Sequence, residues 1–175
     1  MKYIYLGNWK REKKLYSLNY STRLAVIDNE SLTKRLSREK DNNFRIKVQD
    51  QRLEYSKSIN EFIDCVQARS IGVYRSVRLE SKGFKNVYAK SFLPVKSLKG
   101  KERYIRILGS RSLGSYFLNT KRFRKVKISY SIKSDYVHRL IAYKNRSGFI
   151  YVDEIFPINF TNKSINLFQA RRKRR

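Results

Sequence analysis

Two arginines occupy positions where the pattern of the chain calls for an apolar side chain. In Gly72-Val73-Tyr74-Arg75-Ser76-Val77-Arg78-Leu79, β-branched and aromatic residues run between a Gly and Ser-Lys-Gly, which predicts a strand. Alternate residues of a strand share a face, so Arg75 points with Val73, Val77 and Leu79. Arg139 stands in the same way among Val137, Ile141 and Tyr143. A buried guanidinium without an anion is costly. Arg75 therefore either pairs with a carboxylate of the protein or receives one from a ligand. The structural alternatives are an internal ion pair, or a stem that covers apolar surface while the head reaches a sheet edge. Arginine grips carboxylates through paired hydrogen bonds, so two inward arginines in one small domain predict a pocket for a compound with two carboxylates. Glu154 shares parity with Ile150, Val152 and Phe156. It is either the ion-pair partner of Arg75 or Arg139, or an acid–base group of that pocket.

The elements that must position these residues follow from periodicity. Phe44-Arg45-Ile46-Lys47-Val48 alternates, with Phe44, Ile46 and Val48 inward. The Arg75 strand turns at Lys82-Gly83 into a second strand from Asn86 to Leu93, ended by Pro94. Three more strands follow: Arg124 to Ile132 with Val126, Ile128, Tyr130 and Ile132 inward, Val137 to Tyr143, and Phe149 to Phe156 after the Asn145-Arg146-Ser147-Gly148 turn. Helical spacing is short and scattered. Ser31 to Leu36 reads as one turn with Leu32 and Leu36 on one face, and Ile59 to Ala68 as a helix or long turn. Ser97 caps a helix through Leu108 that Gly109 stops. Leu15 to Val26 fits a helix poorly. Strands joined by short turns, with helices apart from them, predict an α+β fold: an antiparallel sheet of about six strands with helices packed on it.

Composition narrows the function. At 175 residues the chain is one domain, able to bury roughly two-thirds of its unfolded surface. One cysteine, Cys65, rules out an internal disulfide and fits a reducing compartment. With His138 as the only histidine, a zinc site cannot be assembled, and no metal is expected. His138 lacks any accompanying Ser or Cys motif and reads as a strand or surface histidine. No apolar run approaches the roughly 20 residues that span a bilayer. The net charge of +27 predicts nonspecific attraction to RNA at low salt, but the basic residues are spread through every segment and no nucleic-acid-binding signature is present. A diffuse positive field equally steers a small dianion. Residues 1–23 read as a basic N-terminal segment, 24–165 as the folded domain and 166–175 as a basic tail, the last five residues being Arg171 to Arg175.

Five motifs in order carry a resemblance. Ser31-Leu32-Thr33-Lys34-Arg35-Leu36, Arg75 in its strand, Tyr88-Ala89-Lys90-Ser91-Phe92-Leu93-Pro94, Leu108-Gly109-Ser110-Arg111-Ser112-Leu113-Gly114-Ser115-Tyr116-Phe117, and Asp153-Glu154-Ile155-Phe156-Pro157 together resemble chorismate pyruvate-lyase from about Leu24 to Phe160. The lysine-rich style is similar to a plastid-encoded branch of that family with cyanobacterial relatives, which implies a plastid location, or otherwise the cytoplasm. The resemblance implies a chorismate-lyase-like fold with the ligand enclosed in a cavity behind flaps. It implies cleavage of chorismate to 4-hydroxybenzoate and pyruvate, with no metal or organic cofactor; a monomer is the expectation for the chain itself. It also implies site roles: Arg75 binds a carboxylate, Glu154 is the active-site acid, and Leu32 and Leu113 contact the ligand. Lys90 stands where the family has a further arginine, keeping the charge without the planar fork. The family's paired arginines reduce to Arg139 in Val137-His138-Arg139-Leu140. The choice of Glu154 over Asp153 rests on the Glu-x-Phe spacing. A member of the fold that no longer catalyses, and binds RNA or a small aromatic acid, is the alternative.

Overall fold

A computed structural model describes residues 12–28, 32–37, 43–59, 70–82, 84–120 and 122–160. Six strands, β1 (Arg45–Tyr55), β2 (Ile71–Glu80), β3 (Val87–Pro94), β4 (Arg124–Lys133), β5 (Tyr136–Asn145) and β6 (Gly148–Pro157), form one sheet in the order β1-β2-β3-β6-β5-β4. Every neighbouring pair is antiparallel, apart from bulges within the ladders of the two outer strands. The last strand thus returns to pair with β3, which joins a three-stranded half to the β4-β5-β6 meander. The helices are α1 (Tyr20–Ile27), α2 (Leu32–Leu36) and α3 (Leu113–Thr120). The α+β class expected from the sequence is the architecture observed. Among the described residues no helix is long and apolar enough to cross a membrane.

Two apolar clusters form on one face of the sheet. In the first, Leu15, Ala25, Val26, Leu32 and Leu36 pack on Val77, Leu79, Val87, Val137 and Phe156. In the second, Ile105, Phe117 and Phe123 pack on Val73, Leu93, Ile141, Tyr143 and Val152. The strand positions between the two clusters are Arg75 on β2, Ala89 and Ser91 on β3, Glu154 on β6 and Arg139 on β5. A polar seam therefore crosses the sheet where its two hydrophobic halves meet.

Several elements differ from their sequence-based reading. The segment after Pro94 is not an α-helix but two 3-10 stretches, Val95–Ser97 and Gly100–Ile107, separated by a bend; Gly100 adopts φ +61° at the start of the second. Ile105 and Leu108, three apart, keep their buried positions under 3-10 geometry. The unclear stretch near the N-terminus folds as a 3-10 turn, Glu12–Ser17, followed by α1, whose N-cap Asn19 accepts a 2.7 Å hydrogen bond from the Thr22 N–H. Val48, expected inward, is 41% exposed because β1 is an outer strand and its register shifts immediately after it. Val126, also expected inward, is the extra residue of a bulge in β4. The helix or turn expected over Ile59–Ala68 lies, beyond Ile59, outside the described residues, as does the tail from residue 166.

One glycine in β2 is dictated by packing. A Cβ on Gly72 would lie 2.6 Å from Cζ of Phe92 and 2.8 Å from the Leu93 carbonyl oxygen. Phe92 is fully buried and the Leu93 oxygen is backbone, so neither can yield cheaply. Gly72→Ala should destabilise the fold by about 1–3 kcal/mol, read as a lowered denaturation midpoint at unchanged m-value. An unshifted midpoint would contradict this packing.

Candidate functional site

Arg75 is 3% exposed, and its guanidinium is held by neutral acceptors. Nη1 donates to Gln51 Oε1 at 2.5 Å, and Nη2 donates to the carbonyls of Gly109 at 2.6 Å and Arg111 at 3.3 Å. These bonds engage three of its five N–H groups. Among the described residues no carboxylate pairs with it. Burial pulls its pKa down. Gly109, at φ +56°, makes the tight turn that offers two carbonyls to one side chain.

Arg139 has the opposite character. It is 2% exposed, and both Nε (2.6 Å) and Nη2 (2.5 Å) reach Oε2 of Glu154. Its Nη1 donates to the carbonyls of Val26 at 2.8 Å and Asp28 at 2.5 Å. Those oxygens belong to the C-terminal end of α1, where helix carbonyls lack partners and a cation is favoured. Arg139 thus ties α1 to the sheet and fixes one oxygen of Glu154. Of the alternatives left open by the sequence, the ion pair to Arg139 is the one realised, yet Glu154 still faces the same space as Arg75.

That space is a cavity of about 60 Å³. Ala89 and Ser91, small residues on central β3, form its floor between Arg75 and Glu154. These two functional groups stand on strands two apart, roughly 10 Å across the sheet. Leu113 and Gly114, at the start of α3, line the cavity as well. Thr33 of α2 and Ser112 also line it, and their hydroxyls lie 2.8 Å apart.

Two residues assigned from the resemblance fall elsewhere. Lys90 has the parity of Phe92, opposite to Ala89 and Ser91, so it projects from the other face of the sheet. Leu32 is buried in the first apolar cluster and does not line the cavity; its neighbour Thr33 does. Parity also separates the two acids. Asp153 lies on the far face, fully buried, its Oδ2 2.8 Å from Nδ1 of His138, whereas Glu154 lines the cavity.

Two residues of the site, Gln51 bonded to Arg75 and Lys125 lining the cavity, were missed because bulges invert the parity of the outer strands. In β1 the partners of Val77 and Ser76 are Val48 and Asp50, so Gln49 is extra and Gln51 comes opposite Arg75. In β4 the partners of Tyr143 and Ala142 are Lys125 and Lys127, so Val126 is extra and Lys125 joins the face of Ile128. The sequence carries no Gly or Pro at either bulge to signal it. Lys125 is half-buried and its pKa is pulled down, chiefly by burial and then by Arg139, with Glu154 opposing. Burial and the nearby Glu154 carboxylate raise the Tyr143 phenol, which stays neutral.

A buried arginine bonded to neutral groups, an acid two strands away and a cavity on one face of an antiparallel sheet are the features that a site for a small carboxylate-bearing molecule requires. The sequence agrees: the family model for chorismate lyase matches residues 6–155, and the chain belongs to that family. No curated protein gives a significant match.

Proposed function

We propose that the protein is a chorismate lyase, eliminating pyruvate from chorismate to leave 4-hydroxybenzoate. The observation that carries this reading is the buried Arg75, satisfied by neutral acceptors and facing a cavity that also holds Glu154. Arg75 takes the ring carboxylate, beside the N-terminal end of α3 at Leu113, where a negative charge is favoured. The ring lies over Ala89 and Ser91, and its C4 hydroxyl meets Glu154.

The chemistry asks little of the protein beyond placement. Loss of the C4 hydrogen as a proton supplies the electron pair that forms the C3–C4 double bond. The C3–O bond breaks, its electrons leave with the enolpyruvyl oxygen, and the resulting enolate takes up a proton at its methylene carbon to become pyruvate. Aromatisation drives the reaction, so the site must hold the reactive conformer and exclude water. Glu154 assists by bonding the C4 hydroxyl when protonated or by taking the proton when ionised. No step calls for a metal or organic cofactor. Arg139 acts through Glu154 as a positioning residue. This reading gives Lys90 and Leu32, which do not line the cavity, no contact with the ligand.

Purified protein incubated with chorismate should release 4-hydroxybenzoate and pyruvate in equal amounts, followed by chromatography. Product at no more than the uncatalysed rate overturns the reading. The net charge of +27 supports a second one, an inactive member of the fold that binds RNA. RNA binding that survives physiological salt, without turnover of chorismate, would favour it.

A further inference from the structure

We propose that Lys125 is a further substrate-binding residue, taking the second carboxylate of the substrate, the one on the enolpyruvyl ether. This rests on the lyase reading above and identifies a contact that reading leaves open. The order of groups across the sheet carries the inference. Arg75 stands on β2, the small floor on β3, Glu154 on β6, Arg139 on β5 and Lys125 on β4. A substrate whose ring carboxylate lies on Arg75 and whose C4 hydroxyl lies at Glu154 has its C3 ether next to that hydroxyl. The ether's carboxylate therefore extends past Glu154, toward β5 and β4. Arg139 lies there, but its guanidinium already serves Glu154 and two helix-end carbonyls. Lys125, opposite Tyr143 and four residues along the ladder from Arg139, is the other cation on that side that lines the cavity, and it faces the cavity only because Val126 is bulged out of the ladder.

Arg111 also lines the cavity, but it is exposed, where an ion pair is screened by water. Lys125 is half-buried, so a pairing with a carboxylate is stronger there. The same contact suits the chemistry. An ammonium on the enolpyruvyl carboxylate lies close to the oxygen that gains charge as C3–O breaks, and it holds the leaving group away from solvent. Burial and Arg139 both lower the lysine's pKa, so the native fold disfavours its charge. A charged Lys125 thus costs stability at neutral pH, a cost relieved as pH rises through its lowered native value. A substrate carboxylate beside it adds to the opposing effect of Glu154.

The product supplies the control, because 4-hydroxybenzoate keeps the ring carboxylate and lacks the other. Lys125→Met should weaken chorismate roughly tenfold to a hundredfold, read as KM, or as Kd if the wild type binds without turnover, while 4-hydroxybenzoate affinity stays within about twofold. Lys125→Arg should recover most of the loss. Equal weakening of both ligands, or a chorismate affinity untouched by Lys125→Met, overturns the inference while leaving the lyase reading intact. A wild type that binds neither ligand overturns both.

Discussion

Arg75→Met should abolish measurable binding of 4-hydroxybenzoate while leaving the protein folded. Losing one partner of a buried, hydrogen-bonded charge pair weakens binding by about 2–5 kcal/mol, from tens-fold to several-thousand-fold. The fold pays less for the change than three lost hydrogen bonds suggest. Gln51 Oε1 and the carbonyls of Gly109 and Arg111 lose a donor, but a guanidinium no longer has to be kept out of water without a counter-ion. Methionine fills the volume of the stem, and the melting temperature should drop by a few degrees at most. Arg75→Lys tests the fork itself. It retains a charge but offers a single point in place of a plane, and should bind at an intermediate level. Calorimetric titration with 4-hydroxybenzoate decides the matter. Wild-type affinity in Arg75→Met would mean that Arg75 only pins the Gly109–Arg111 turn.

The fold was legible because it follows from alternation. Val73, Val77 and Leu79 fix a face for β2, and the odd residue on that face, Arg75, marks the candidate site in the sequence itself. The same logic places Glu154 inward and Asp153 outward. It failed where the ladder itself is irregular. A bulge adds one residue to a strand and exchanges its faces beyond that point, and nothing in Val48-Gln49-Asp50 or Lys125-Val126-Lys127 announces one. Gln51, which holds Arg75, and Lys125, which lines the cavity, were therefore invisible as parts of the site. Lys90 shows the converse. Motif position assigned it to the ligand, whereas the pleat of β3, with Ala89 and Ser91 on the cavity floor, turns it away. Helix type was lost for another reason: Leu98, Ile105 and Leu108 mark a buried side, and that side is shared by α and 3-10 turns.

Glu154→Gln should lower kcat by about 10²–10⁴-fold, the range for removing a positioned acid–base group. It should also lower stability, because Arg139 stays buried after its counter-charge is gone. Breaking such a pair from one side costs about 3–5 kcal/mol, whereas the glutamine amide can still accept one hydrogen bond from the guanidinium and keep the side chain in place. Both effects have the same sign, so activity alone cannot separate a chemical role from a structural one. Arg139→Met separates them. It removes the other half of the pair, frees both helix-end carbonyls and should cost comparable stability, yet it leaves a carboxylate facing the cavity. Measured at a temperature where both variants are fully folded, Arg139→Met should keep far more of its kcat than Glu154→Gln. If Glu154→Gln instead turns over chorismate like the wild type once folded, Glu154 is only the counter-ion that holds Arg139 beneath the end of α1.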